Sequence, residues 1–408
     1  MSRRKSPMNL KSTSACFVPL ALLALTVTGC RSHDFPQYPA NYREYAYVTN
    51  GGSGTVSVYD VVNVRLDREL PVGQLPVAVA ASPTRNEVYV VNSGSDAGQG
   101  SVTVLNAENN SVAATIQVHG QPVSIEIAPA GDLAYVANAG SNTISVLDLK
   151  ARQQIAAIGA GEKPVAARLS PDGKTLVVAN RQGNSVSLVD LPSRRVRAVF
   201  ENCPGASDAV FLPDSSKAFV ACSTGHQVMV IALAHAEVSP TAHPAKSSPS
   251  QPGPAQPDRL EALLDVGQGP VNLALKPDGG ELFVSNSLSN SISEIYNGTD
   301  EVGNTYMIGD DPVRGLVSND NSKLYVAGFN SQFVTVYSID DGKRLYPSIH
   351  VGDGPTALAF SSSGLLLFAV DSRSGDVAVA RTATRSLFTL LPAGRNPNAI
   401  VIKAFKLP

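Results

Sequence analysis

The sequence predicts an all-β chain in which repeated four-stranded units close into a β-propeller. Three observations lead to this fold class: a short motif recurs about every 42 residues, a proline-led motif recurs in step with it, and each unit divides into four strand-like runs. Repeats of this length with four strands are typical of propeller blades. Because no window shows a clear 3.6-residue period beyond the first 29 residues, we expect no helical body there.

The two motifs set the number of blades. The first reads Tyr47-Val48-Thr49-Asn50 at its first occurrence, and its copies begin at Tyr47, Tyr89, Tyr135, Val177, Phe219, Phe283, Tyr325 and Phe368. The second opens with Pro76, Pro122, Pro164, Pro270, Pro312, Pro355 and Pro397, and the spacing places its missing member at Ala206. Eight units of each kind predict eight blades, with seven as the alternative.

One unit illustrates how the strands are assigned. An apolar run at 165–170 ends at Pro171-Asp172-Gly173-Lys174, and a second apolar run follows at 175–180. Proline presets φ and glycine accepts positive φ, so this tetrapeptide predicts a hairpin turn. Alternating residues at 184–190 and a final run at 195–200 supply the third and fourth strands.

The two ends of the repeat region predict how the ring closes. The chain enters at a second-type strand (44–50) and leaves on a first-type strand (398–404). We therefore expect the C-terminal strand to complete the blade that the N-terminal segment begins. Such closure removes the open sheet edges that template aggregation.

With these repeats, the chain resembles the YVTN-repeat β-propeller family over residues 45–404. The resemblance implies a propeller and specifies little about function. Relatives commonly have seven blades, whereas this sequence contains eight units.

The N-terminal segment resembles a bacterial lipoprotein signal peptide (residues 1–29). A basic start and an apolar run too short to span a bilayer precede Val27-Thr28-Gly29-Cys30, which resembles a lipobox. This implies that Cys30 is acylated and anchors the chain to the lipid bilayer. Arg31 follows the cysteine. In a Gram-negative cell this resemblance implies sorting to the outer membrane. The alternative is an ordinary signal peptide with a chance cysteine.

After Cys30 we expect a linker (30–43) and then the propeller domain (44–408). Residues 236–259 are rich in Pro, Ser and Ala and lengthen one repeat, which predicts a mobile insertion. Cys203 and Cys222 are the remaining cysteines of the mature chain. In an oxidising compartment they are candidates for one disulfide, with two buried free thiols as the alternative.

Polar residues on the first strands mark a candidate binding site. Counting from the opening proline of each unit, the residues two and four positions on are mostly small, as close packing near a propeller axis requires. The exceptions come from consecutive units: Glu126, Arg168, Asp208, Asn272 and Arg314. We expect them to form one polar sector of the central channel, where Glu126 and Arg168 share a register and are placed to pair. The sector is either a ligand or partner site or a structural ion-pair network.

Other candidate sites are weaker. The motif asparagines Asn50, Asn92, Asn138, Asn180 and Asn286 are interpreted as turn residues bonded to nearby backbone rather than as a ring of binding amides. His119, His226 and His350 have no metal-ligand spacing, so no metal site is predicted. No catalytic motif is recognised, and no cofactor is predicted.

The functional expectation is a lipid-anchored binding or scaffold protein of the cell envelope. Its expected partner is an envelope protein or an extracellular polymer, and two enzyme-related alternatives remain. One is a lactonase-like hydrolase with a polar site at the channel mouth, and the other is an accessory protein of a periplasmic redox enzyme. The net charge of −2 includes four cations of the leader, so the mature body is more acidic still and nucleic acid is not an expected partner.

Overall fold

The computed structural model describes residues 38–94, 98–234, 257–309 and 311–407. These residues belong to one compact unit of the chain, Gln37–Pro408. They form strands and turns without a helix, and none of their segments is an apolar helix of membrane-spanning length. The predicted leader, Cys30 and residues 31–37 of the predicted linker lie outside the described residues.

The described residues form 32 strands. The first eleven are β1 (Tyr42–Asn50), β2 (Thr55–Asp60), β3 (Arg65–Pro71), β4 (Pro76–Ala81), β5 (Glu87–Asn92), β6 (Gln99–Asn106), β7 (Ser111–Gly120), β8 (Pro122–Ile127), β9 (Leu133–Asn138), β10 (Thr143–Asp148) and β11 (Gln153–Gly159). The next eleven are β12 (Pro164–Leu169), β13 (Thr175–Asn180), β14 (Ser185–Asp190), β15 (Arg195–Phe200), β16 (Ala206–Phe211), β17 (Lys217–Cys222), β18 (Gln227–Ala232), β19 (Arg259–Asp265), β20 (Pro270–Leu275), β21 (Glu281–Asn286) and β22 (Ser291–Tyr296). The last ten are β23 (Glu301–Met307), β24 (Pro312–Val317), β25 (Lys323–Gly328), β26 (Phe333–Ser338), β27 (Lys343–His350), β28 (Pro355–Phe360), β29 (Leu366–Asp371), β30 (Asp376–Arg381), β31 (Ser386–Pro392) and β32 (Pro397–Lys406).

The strands assemble into eight four-stranded antiparallel sheets, which confirms the predicted propeller and its eight blades. Blade 1 is β32-β1-β2-β3, and blades 2 to 8 take four consecutive strands each, from β4–β7 to β28–β31. The innermost strands contact one another in a closed cycle: β4, β8, β12, β16, β20, β24, β28, β32 and back to β4. The missing proline-led motif begins β16 at Ala206, as the repeat spacing predicted.

The ring closes through β1 and β32, as the sequence predicted. Their register runs from Tyr42 opposite Lys406 to Asn50 opposite Pro397. Asn41 and Leu407 add a reciprocal pair of 2.9 Å hydrogen bonds beyond the strand ends. The first strand begins at Tyr42, two residues before the predicted domain start at 44.

Apolar side chains of neighbouring blades form the core. Between blades 1 and 2, for example, Tyr47 and Val58 pack with Val88 and Leu105, and all four are fully buried. The Tyr47 hydroxyl also takes part in this contact, donating a 2.6 Å hydrogen bond to Asn110 Oδ1. Burial of both faces of every blade explains why the middle strands read as continuous apolar runs.

Cys203 and Cys222 form a disulfide in blade 5. It links the segment before β16 to the last residue of β17, and both cysteines are buried. Cys222 occupies the position that an asparagine takes in five of the other motif copies. The covalent bond therefore ties together the two inner strands of this blade.

The predicted insertion at 236–259 lies mostly outside the described residues, but its last three residues, 257–259, are described. Arg259 is the first residue of β19, and the Asp258 carboxylate accepts hydrogen bonds of 2.7 and 2.9 Å from the Arg197 guanidinium. Asp258 also accepts a 2.9 Å hydrogen bond from the backbone N–H of Ala234. Composition could not mark this end, because the Arg197 partner lies far away in the sequence.

Deletion of residues 235–256 is expected to change the melting temperature by no more than a few degrees. Direct joining of Ala234 to Pro257 leaves four residues between β18 and β19, which matches the connection between Asp190 and Arg195 in blade 4. Loop length itself contributes little to stability. Thermal denaturation measures the effect.

A longer deletion, 236–259, is the matched control. It removes Asp258, leaves the Arg197 guanidinium without that carboxylate and shortens β19, so a clear loss of stability is expected. Equal melting temperatures for the two deletions would contradict the structural role given to Asp258.

Candidate functional site

The five polar residues predicted for the channel all lie on innermost strands and line one cavity. Asp208, Asn272 and Arg314 are third in β16, β20 and β24, and Glu126 and Arg168 are fifth in β8 and β12. The cavity has a volume of about 260 Å³. Each blade turns its innermost strand to the axis, so equivalent register positions of consecutive blades converge there. We call these five residues the channel cluster.

Asp208 is the centre of the channel cluster. Its Oδ1 accepts a 2.9 Å hydrogen bond from Arg168 Nη2. Its Oδ2 accepts hydrogen bonds of 3.0 Å from Asn272 Nδ2 and 3.3 Å from the backbone N–H of Leu273. Asn272 Oδ1 in turn accepts a 2.8 Å hydrogen bond from the backbone N–H of Gly315. This chain of bonds links blades 4 to 7, so both carboxylate oxygens of Asp208 are occupied.

The expected pair between Glu126 and Arg168 is replaced by another arrangement. Among the described residues, Arg168 forms its ion pair with Asp208, and no contact of 4.0 Å or less joins it to Glu126. The Glu126 carboxylate instead accepts a hydrogen bond from the backbone N–H of Leu169. The long side chain of Arg168 reaches across to the next blade. There Asp208 is the third residue of β16, whereas Arg168 is the fifth residue of β12.

Burial raises the pKa of Glu126 above its ordinary value, although Arg168 and the Leu169 N–H lower it. Relative to an ordinary glutamate, the protonated form is therefore favoured, and in that form the carboxyl donates a hydrogen bond. Burial lowers the pKa of Arg168, but Asp208 and Glu126 outweigh it and raise the pKa overall. Arg168 is therefore held in its cationic form by the two carboxyl groups.

Arg314 differs from the other members of the channel cluster. Its side chain is exposed to the cavity, and its guanidinium forms neither an ion pair nor a hydrogen bond with any other described residue. Desolvation by the surrounding strands lowers the pKa of Arg314, Asp208 raises it and Arg168 lowers it further. The Arg314 guanidinium thus faces the cavity with no described carboxylate within ion-pair distance.

The motif asparagines have a structural role. Their side-chain amides bond mainly to hydroxyl side chains of the next strand, whereas the sequence predicted bonds mainly to nearby backbone. In blade 4, Asn180 Nδ2 donates hydrogen bonds of 3.3 Å to Ser185 Oγ and 2.9 Å to Ser187 Oγ on the next strand. Bonds of the same kind occur at Asn50, Asn92, Asn138 and Asn286. Gly161, in the connection between β11 and β12, packs directly on the Asn180 amide, because a Cβ added to this glycine would lie 2.6 Å from the amide.

Blade 8 carries a variant of this arrangement that the sequence analysis missed. Asp371 replaces the asparagine and Asp376 replaces the first hydroxyl partner, so two carboxyl groups meet. Asp371 is fully buried, and its Oδ2 accepts a 2.9 Å hydrogen bond from the backbone N–H of Gly352. Burial and the Asp376 carboxylate raise the pKa of Asp371 to about 8. The signal was present in the aligned motif, which ends in Asp371 instead of Asn.

The three histidines considered for a metal lie in separate contacts. His119 Nδ1 is 3.1 Å from Thr143 Oγ1, and His226 Nδ1 accepts a 3.2 Å hydrogen bond from the backbone N–H of Gly269. His350 packs edge-on against the ring of Phe333. Within the described ranges, no three His, Cys, Asp or Glu side chains come together in a way that would hold a metal ion.

No family model and no curated protein matches this chain, but solved structures do. Dihydro-heme d1 dehydrogenase NirN in complex with DHE matches with a TM-score of 0.68 and 15% identity, over 90% of this chain and 77% of that one. Apo AztD from Citrobacter koseri matches with a TM-score of 0.65 and 13% identity, over 90% of this chain and 99% of that one. Kuenenia stuttgartiensis hydrazine synthase matches with a TM-score of 0.53 and 22% identity, over 72% and 91%. At these identities the likeness is one of fold.

Proposed function

We propose that this chain is a lipid-anchored binding protein of the bacterial cell envelope and that the channel cluster is its recognition site. The partner is an envelope protein or an extracellular polymer that presents an anionic group to the channel. One observation carries the proposal: five polar side chains from five consecutive blades converge on one cavity, in which Arg314 has no partner among the described residues.

The arrangement favours binding over catalysis. A general base or nucleophile must have a lone pair available to the substrate. Asp208 already accepts three hydrogen bonds, from Arg168, Asn272 and Leu273, of the about four that a carboxylate accepts. Asp208 therefore positions its neighbours, and Arg314 and Glu126 are the groups left to contact a ligand.

The anchor is supported by the resemblance of Val27-Thr28-Gly29-Cys30 to a lipobox after an apolar run. Acylation of Cys30 with several chains exceeds the two-signal requirement for stable attachment. In a Gram-negative cell, Arg31 after the cysteine supports sorting to the outer membrane. A tethered propeller of this kind would meet its partner at the membrane surface rather than in free solution.

Substitution of Cys30 by Ala is expected to release the protein from the membrane fraction. Without a thiol to acylate, the mature chain lacks the fatty chains that hold it at the bilayer. Fractionation with metabolic palmitate labelling measures this, and Arg395→Gln, which alters an exposed residue, is a control that leaves both the anchor and the disulfide intact. Unchanged membrane association and labelling of Cys30→Ala would contradict the anchor.

The recognition site is tested by partner capture from native envelopes with three forms of the full chain. The wild type and Arg395→Gln, which alters an exposed arginine of the loop between β31 and β32, should retain the same partner. Arg314→Gln should lose it. Equal capture by all three forms would show that the channel is not the recognition site.

Two other results would favour the enzyme-related alternatives. Lactone turnover that Asp208→Ala abolishes would favour the hydrolase alternative over binding. Co-purification of a coloured species or a metal would favour the redox-accessory alternative.

A further inference from the structure

We propose that the channel cavity binds a small carboxylate that carries a neighbouring hydroxyl or carbonyl oxygen, with Arg314 holding the carboxylate and Glu126 bonded to the second oxygen. This inference rests on the proposed function, because it takes the channel cluster as the recognition site. It adds the chemical class of the ligand.

The Arg314 guanidinium is placed to bind one anionic group of a ligand. Arg168 and Asp208 neutralise each other at 2.9 Å, whereas the Arg314 guanidinium has no counter-ion among the described residues. A ligand anion would give this cation the counter-ion that the described residues do not supply. Guanidinium groups bind carboxylates through two parallel hydrogen bonds, which makes a carboxylate a geometrically suitable ligand.

Besides Arg314, the side chain of Glu126 is available to bond a second polar atom of the ligand. Asn272 uses its Nδ2 for Asp208 and its Oδ1 for Gly315, so it has little left to offer. Glu126 accepts one hydrogen bond from the Leu169 N–H and lines the cavity. Its carboxyl accepts a hydrogen bond from a ligand hydroxyl, and in the protonated form, which burial favours, it donates one to a ligand oxygen. An oxygen beside the ligand carboxylate therefore has a partner in Glu126.

The size of the cavity limits the ligand. Its volume of about 260 Å³ lies below the roughly 300–1,000 Å³ of pockets that hold drug-sized molecules. A short hydroxy acid fits wholly inside. A uronic acid unit at the end of an extracellular polysaccharide has the same chemistry and would enter only with its carboxylate end. The shared chemistry is a carboxylate with an adjacent oxygen, and the two sources are separated by experiment.

Isothermal titration calorimetry with the purified full chain tests the inference. The probes are glycolate, lactate and glucuronate, with propionate lacking the second oxygen and inorganic phosphate as a different anion. We expect lactate or glucuronate to bind at least tenfold more tightly than propionate or phosphate. Preference for glucuronate over lactate identifies a polymer end as the source, and the reverse identifies a free acid.

Variants assign the two contacts. Arg314→Gln should weaken binding at least tenfold, Arg314→Lys should retain part of it, and Arg395→Gln should leave it unchanged. Glu126→Gln keeps a hydrogen-bonding side chain at this place and Glu126→Ala removes it, so the first should retain and the second should lose the preference for lactate over propionate. Thermal melting of each variant shows that it is folded.

The outcomes distinguish failure of the ligand class from failure of the proposed recognition site. Binding of phosphate in preference to every carboxylate, or affinities that do not depend on Arg314, would overturn the ligand class. If no probe binds but partner capture still depends on Arg314, the ligand class is wrong and the recognition site stands. If capture is also independent of Arg314, both proposals are wrong.

Discussion

Removal of residues 397–408 is expected to abolish cooperative folding. Those residues contain β32, which is the innermost strand of blade 1 and contacts the innermost strands of blades 8 and 2. Without it, β1 loses its partner from Tyr42 to Asn50, and the ring has an open gap. An open sheet edge also templates aggregation. Circular dichroism melting and gel filtration of the truncated chain should show loss of the transition and aggregation.

A circular permutant is the matched control for that truncation. Joining the described ends with a short glycine linker is feasible, because Asn41 and Leu407 are hydrogen-bonded to each other. New termini placed within residues 235–256 interrupt a connection that lies between β18 and β19 rather than a strand. This permutant should fold with a single transition close to that of the wild type. A truncated chain as stable as the permutant would refute closure by β32.

The success of the sequence-based prediction at the channel has a specific physical origin. Strand position within a blade is repeated, so the first residue of each innermost strand, a proline in seven of the eight, fixes which residues point to the axis. Asp208, Asn272 and Arg314 fall at one register position and Glu126 and Arg168 at another. Counting along the sequence is therefore enough to bring the five together.

Partner choice inside the channel could not be obtained in the same way. Counting placed Glu126 beside Arg168, but the distance from an arginine head group to a carboxylate depends on how far the long side chain extends across the blade interface. Arg168 reaches Asp208 at 2.9 Å, and the Leu169 N–H donates to the Glu126 carboxylate. Register predicts which side of the channel a residue lines. Which group the side chain contacts depends on its length and rotamer.

The pair of Asp371 and Asp376 was missed for a related reason. The motif fixes the asparagine, but its hydroxyl partners lie five and seven residues later, outside the motif itself. Only when the partners are aligned as well does blade 8 stand out, with Asp371 in place of the amide and Asp376 in place of the hydroxyl. An amide and a hydroxyl bond at any pH, whereas two carboxyl groups bond only while one retains a proton.

The two carboxyl groups make the stability of the propeller depend on pH. Asp371 has an ordinary pKa of 3.8 and a folded pKa of about 8. Between these values the folded chain holds a proton that the unfolded chain releases. The contribution of Asp371 is therefore fully present below the ordinary pKa, is lost as the pH rises toward the folded pKa, and falls no further above it.

Asp371→Asn is expected to stabilise the protein at alkaline pH and to have little effect near pH 4. The introduced asparagine restores the arrangement of the other blades, since its amide donates to the Asp376 carboxylate without needing a shared proton. The gain at pH 9 should be on the order of 3 kcal/mol, after allowance for relaxation around the buried pair. Chemical denaturation at pH 4, 7 and 9 measures the free energy of unfolding of variant and wild type.

Asp376→Ser supplies the second variant, because it places a hydroxyl beside Asp371 where blade 4 has Ser185, and a hydroxyl can donate to a carboxylate. Removal of the neighbouring negative charge lowers the pKa of Asp371, so the pH dependence should flatten even though the buried acid remains. Both variants should therefore reduce the difference between pH 4 and pH 9, by different routes. If the difference stays at its wild-type size in both, the pH dependence originates elsewhere in the ring and the shared proton is not its cause.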